Sequence, residues 1–210
     1  MLAVILQTNI TMTKLILTII ALLTFTTATF GQKISYEDFK EVIPFLQSED
    51  FKGAYKKTSE LLKSTTNDSS DLRGIVTYMN IFSATGMVAV GQMSYEEFEK
   101  ATKELIGQYV VMSAHPCIES SAKGFNSIQF MTNESGKLEG MTISSNRQKT
   151  NILCFEYFDY AEPVNPTEMI GKNVRCGGTL SAIETNPNKS NIWIARLRIK
   201  DAFAKVMKPR

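Results

Sequence analysis

The sequence predicts an α+β protein: antiparallel helical hairpins first, an antiparallel β domain second. Three observations predict it. Ser35-Tyr36-Glu37-Asp38-Phe39 and Ser94-Tyr95-Glu96-Glu97-Phe98 are nearly the same phrase, and each reads as a helix start. Beyond Gln108 the apolar spacing changes from helical to alternating. Ahead of both, Lys14 precedes an apolar run at 15–25 and a small, polar stretch at 26–32. That is the charged, apolar and cleavable layout of a secretory leader.

Residues 1–31 are read as this signal peptide, cleaved after Gly31. Residues 1–11 carry no charge and sit poorly before a leader, so Met12 is the better initiator. No cysteine follows the apolar run, which argues against a lipid-anchored N-terminus. A membrane span needs roughly 20 predominantly apolar residues, and this core is shorter and interrupted by threonines. The expected location is periplasmic or secreted, with no stable membrane insertion after cleavage.

The mature chain is close to neutral but uneven. Residues 32–107 hold nine basic and twelve acidic residues, whereas 108–210 hold thirteen and nine. A small asymmetry of this kind fits two ordinary solvated surfaces, or a basic second half that meets an anionic partner.

Each element of the helical half, 32–107, follows from its residues. In both repeated phrases the serine side chain can accept from the backbone N–H three residues on, while the acid there reaches back. The acids also suit the positive end of the helix dipole. Tyr36, Phe39, Val42, Ile43 and Leu46 follow at helical spacing, as do Phe98, Ala101, Leu105 and Ile106. Phe51, Ala54, Tyr55, Thr58, Leu61 and Leu62 make another amphipathic stripe. After the polar loop 64–70, a long helix over 71–90 turns Leu72, Ile75, Val76, Met79 and Phe82 inward. Gly86 weakens its last turns and Gly91 is a plausible stop.

In the strand-rich half, 108–200, alternating runs occupy 109–113, 127–132, 141–145, 151–159, 173–180 and 191–200. Asn133-Glu134-Ser135-Gly136 and Asn186-Pro187-Asn188-Lys189-Ser190 are turn-rich. An acidic, proline-containing segment at 162–170 separates the third principal strand from the fourth. Residues 201–210 are read as a tail. No proline- or serine-rich linker separates the halves, so they are expected to share an interface.

Two resemblances follow from these residues. Glu49-Asp50-Phe51-Lys52-Gly53-Ala54-Tyr55 and Gly91-Gln92-Met93-Ser94-Tyr95-Glu96-Glu97-Phe98-Glu99-Lys100-Ala101 resemble the second helix of a tetratricopeptide repeat, without the repeat's full Trp-Leu-Gly-Tyr spacing. Ile170-Gly171-Lys172-Asn173-Val174-Arg175-Cys176-Gly177-Gly178-Thr179-Leu180 resembles the fourth strand of an OB-fold barrel, and strand, strand, strand, short helix, strand, strand is that fold's order. Together they resemble an exported bacterial protein with a tetratricopeptide-like helical half and an OB-like C-terminal half. The first implies a peptide- or protein-binding scaffold. The second implies a five-strand antiparallel barrel, with residues 141–145 as an inserted hairpin and ligands across strands two and three. An open antiparallel sheet with helices on one side is the alternative.

The candidate ligand residues are Arg175, Arg196, Arg198, Lys200 and Phe158. In the last strand Trp193, Ala195, Leu197 and Ile199 share one face, and Arg196, Arg198 and Lys200 the other. Arginines beside exposed aromatics can hold phosphates and stack bases; an ordinary solvent face produces the same pattern. Trp193, among apolar neighbours, reads as core. In an OB-like barrel the first and fourth strands are neighbours, which would bring Cys117 and Cys176 into disulfide reach.

His115-Pro116-Cys117 does not make a catalytic pair, because Pro116 breaks the strand and no further histidine exists. The cysteines have no CxxC spacing, and no metal or cofactor motif occurs. The expected function is a non-enzymatic binding or scaffold protein for an envelope or extracellular protein or peptide. An OB-like binder of an anionic polymer, oligosaccharide or nucleic acid, is the second reading, and an enzyme of unrecognised type the third.

Overall fold

The structure is a computed structural model and describes residues 33–65, 68–122 and 124–208. The signal-peptide and Met12 readings lie outside the described residues. Residues Lys33–Arg210 form one compact unit.

Both repeated phrases are helix starts. Ser35 caps α1 (Tyr36–Lys40) and Ser94 caps α5 (Tyr95–Thr102), each with a complete capping box to Asp38 and Glu97. Such a cap contributes roughly 1 kcal/mol. The first stripe does not make one helix, however. It breaks after Lys40 and restarts as α2 (Ile43–Gln47), with Pro44 in the first turn. Proline has no N–H to continue a helix from the preceding turn, but tolerates the start of a new one.

Helix α3 (Phe51–Ser64) is capped by Asp50 and α4 (Asp71–Ala89) by Ser70. Val90 is the C-cap of α4 and Gly91 follows at φ 74°, the left-handed conformation that ends helices. Gly86 is not an end. It lies inside α4, where an added Cβ would sit 2.2 Å from the Phe51 ring. A single 3₁₀ turn (Lys103–Leu105) closes the helical half and leaves Ile106 exposed rather than inward.

The chain then forms β1 (Tyr109–Val111), β2 (His115–Pro116), β3 (Ile128–Thr132), β4 (Leu138–Ser145) and β5 (Ile152–Tyr160). A short helix α6 (Pro166–Met169) follows, then β6 (Asn173–Thr185) and β7 (Trp193–Val206). These seven strands make one sheet in the order β1-β6-β7-β5-β4-β3, with β2 also on β6.

The five-strand, wholly antiparallel closed barrel is therefore corrected in three ways. Residues 141–145 belong to β4, which sits between β3 and β5 in the sheet instead of forming an inserted hairpin. The second correction is that β5 and β7 pair in parallel. The chain leaves β5 through α6 and returns as the hairpin β6–β7, whose second strand runs the same way as β5. Third, the sheet is open: among the described residues β3 and the β1–β2 edge meet at a single bridge, Cys117 to Ile128. A lone bridge is not a ladder. The tail is also shorter than expected, since β7 continues as far as Val206.

One face of this sheet packs on α4, and the main core fills the layer between them. Phe98, Ile81, Phe158, Leu180, Leu197 and Ile199 are fully buried there or beside it. A second, smaller cluster of Ile34, Val42, Leu61, Leu62 and Val76 holds the N-terminal helices together.

Candidate functional site

The arginines of β7 do share an outer face, and each stacks on an aromatic ring, while Arg196 Nε is buried with no hydrogen-bond partner among the described residues. The Arg196 guanidinium carbon lies 4.6 Å from the Trp193 ring centre, and that of Arg198 lies 4.4 Å from Tyr157. Phe155 meets Trp193 edge-on at 6.0 Å. Stacking of this kind is favourable by about 0.5–1 kcal/mol where water still reaches the cation. Arg198 also faces Glu184 at 3.7 Å. Lys200 borders a small hollow of 200 Å³ that it shares with Glu139, Asp159 and Arg198, so acids interleave the bases.

Two expectations for this face are corrected. Phe158 is wholly buried and offers no stacking surface. On β5 it shares its inward phase with Cys154, Glu156 and Tyr160, while Phe155 and Tyr157 are the half-exposed aromatics. Trp193 is not core: it is half-buried, pinned between Phe155 and Arg196. Arg175 stands apart, because its partner on β7 is Lys205, nine residues beyond Arg196.

The cysteines are buried and free. Met112 N–H donates to the Cys176 carbonyl and Cys117 N–H to that of Lys172, which sets the two cysteines four residues out of register. That is about 13 Å along a straight strand, whereas disulfide Cα atoms lie within about 7 Å. Burial pushes the Cys176 thiol up to about 12 and raises Cys117 and Cys154 as well. Raised thiols are poor nucleophiles. His115 contacts Ser113 Oγ at 3.2 Å, and burial lowers its pKa, so it is neutral at pH 7. No group of metal-ligating side chains gathers among the described residues.

Between the helices lies a feature that no single segment announces. Helices α3, α4 and α5 with the following turn enclose a groove of 730 Å³, within the usual size range for ligand sites. Tyr55, Leu62, Met87 and Leu105 give it an apolar lining, and Asn80 lies on its floor. The Asn80 amide donates to Thr58 Oγ1 at 2.9 Å and Ser59 Oγ at 2.8 Å, fixing α4 to α3. Arg73, also on the lining, is spent on the α3 C-terminus: it donates to the carbonyls of Leu62 at 3.1 Å and Thr65 at 2.7 Å. Lys52, Lys56 and Lys63 stand on the α3 rim. In the sequence these lysines are merely the polar side of an amphipathic helix; only the packing of α5 opposite makes them the wall of a groove.

One further constellation is buried at the seam between α4 and the sheet. Tyr78 O–H donates to Glu156 Oε1 at 2.8 Å and lies 3.0 Å from Ser144 Oγ. Glu156 has no exposed surface, and among the described residues Oε2 finds no hydrogen-bond partner; nor does Oγ1 of Thr142, its cross-strand neighbour. With no cation beside it, burial raises the Glu156 carboxyl to about 8, so at pH 7 it is mainly protonated and neutral.

No family model, curated protein or solved structure matches this chain.

Proposed function

We propose that this chain is an exported, non-enzymatic scaffold that holds a segment of a protein or peptide partner in the groove between α3 and α5. Export rests on the leader pattern of Lys14 and residues 15–25. The observation that carries the binding reading is the groove itself: open, 730 Å³, apolar within and lysine-rimmed. Its lining holds no histidine and no cysteine to act as base or nucleophile.

We also read the sheet as an opened relative of the OB-like barrel. What supports this is β1 running antiparallel to β6, α6 lying between β5 and β6, and the Cys117–Ile128 bridge. An anionic polymer is the second reading, and Arg196 and Arg198 would carry it. Their stacking on Trp193 and Tyr157, the Glu184 contact and the burial of Phe158 rank it below the scaffold.

The test is capture from the envelope fraction of the source cell by immobilised protein 32–210. The unaltered chain and Arg196→Ala/Arg198→Ala should retain the same partner equally, and Ala101→Trp, which fills the groove, should lose it. Loss of an anionic polymer with the arginine variant would put the second reading first. Turnover of a captured small molecule would make the chain an enzyme.

A further inference from the structure

We infer that the partner segment is an acidic peptide with apolar anchors, lying in the groove with its carboxylates against the α3 wall. This rests on the scaffold reading above and adds the partner's chemistry.

Lys52, Lys56 and Lys63 point to it. They lie at spacings of four and seven residues along one wall of the groove. At 1.5 Å per helical residue they stand about 6 Å and a further 10 Å apart along the axis. None of the three has an ion-pair partner among the described residues, whereas Lys40 and Lys57 of the same half pair with Glu37 and Glu41. Arg73, the fourth cation of the lining, is turned onto carbonyls of its own chain. Two acids share the rim: Glu60 within the α3 wall and Glu104 on the facing side. The excess of positive charge is thus on α3, and Glu104 turns a ligand's carboxylates away from the opposite wall.

An extended chain rises about 3.3 Å per residue. Side chains of one phase recur about every 6.6 Å, so carboxylates at i and i+2 match Lys52 and Lys56. One at i+4 or i+6 comes within about 4 Å of Lys63's level on the axis, and apolar side chains of the other phase reach Tyr55, Leu62 and Met87. Each ion pair at an exposed rim is modest, about two- to fivefold in affinity. Three together give roughly tenfold or more, so charge selects the segment and the apolar lining holds it.

The test uses a displayed library of random twelve-residue peptides, selected on protein 32–210. Binding of the selected peptides is then measured on the unaltered chain, on Lys52→Glu/Lys56→Glu/Lys63→Glu and on Ala101→Trp, with circular dichroism to show that all three are folded. The expected pool is rich in Asp and Glu at alternate positions, with Leu, Phe or Tyr between them. Its members should bind the lysine-reversal variant at least tenfold more weakly, lose affinity in high salt and fail on Ala101→Trp. Peptides that fail on Ala101→Trp but bind the lysine-reversal variant unchanged would overturn the acidic partner and leave the scaffold. A library that enriches nothing on the unaltered chain over Ala101→Trp would overturn both.

Discussion

Replacing Glu156 with glutamine should stabilise this protein at alkaline pH, by on the order of 5 kcal/mol relative to its effect at pH 4. The carboxyl is wholly enclosed between α4 and the sheet, with Tyr78 donating to one oxygen and no hydrogen-bond partner for the other among the described residues. Its folded pKa is raised from 4.5 to about 8. Below pH 4.5 the group is protonated in both folded and unfolded chains and adds no pH dependence. Between 4.5 and 8 the unfolded chain has released the proton and the folded chain has not, so folding takes up one proton. Stability therefore falls as pH rises through that window, at about 1.4 kcal/mol per unit, and levels off above 8. Glutamine keeps an acceptor for Tyr78 and never ionises. Urea unfolding of both forms at pH 4, 6 and 9 checks this. Parallel stability curves for the two would show that Glu156 is not buried in the folded protein.

Gly86→Ala gives the second large effect, and its sign is diagnostic. By helix propensity alone, alanine in the interior of α4 should stabilise by about 1 kcal/mol. The structure predicts a loss of about 2 kcal/mol instead, because the new Cβ would lie 2.2 Å from Cδ1 of Phe51, a buried ring that also packs on Phe82. In a Phe51→Ala background the obstruction is gone, and the same substitution should turn stabilising. Chemical denaturation of the four chains of this cycle measures the coupling directly. Additive effects would mean that α3 and α4 do not approach here.

These two positions also mark where the sequence was legible and where it was not. Local chemistry was: Ser35 and Ser94 cap their helices, and Gly91 ends α4. Gly86 read as a weak point of α4 because a glycine that makes room for a ring on another helix looks the same as one that ends a helix. The face of β5 was unreadable for a similar reason. Residues 154–160 alternate Cys, Phe, Glu, Tyr, Phe, Asp and Tyr, with aromatics in both phases and the one glutamate pointing inward. Apolar periodicity cannot orient such a strand, so it does not reveal that Phe158 points inward. The parallel β5–β7 pair and the place of β4 depend on which distant strands meet, which alternation within one strand does not encode. For the candidate site, alternation puts Arg196 and Arg198 on one face, but Tyr157 and Glu184, which meet Arg198, come from β5 and β6. The groove was invisible because its walls are two helices more than thirty residues apart in sequence.

The groove is the centre of the proposed function, and photo-crosslinking in the source cell tests it most directly. A photoreactive amino acid in place of Glu60, on the α3 rim, is compared with the same amino acid in place of Ser181, on the outer strand face beside Arg198. A discrete protein adduct is expected from position 60 that disappears when Lys52, Lys56 and Lys63 are reversed to glutamate, and none from position 181. An adduct from position 181 alone, or one from position 60 indifferent to the three lysines, would contradict the proposal.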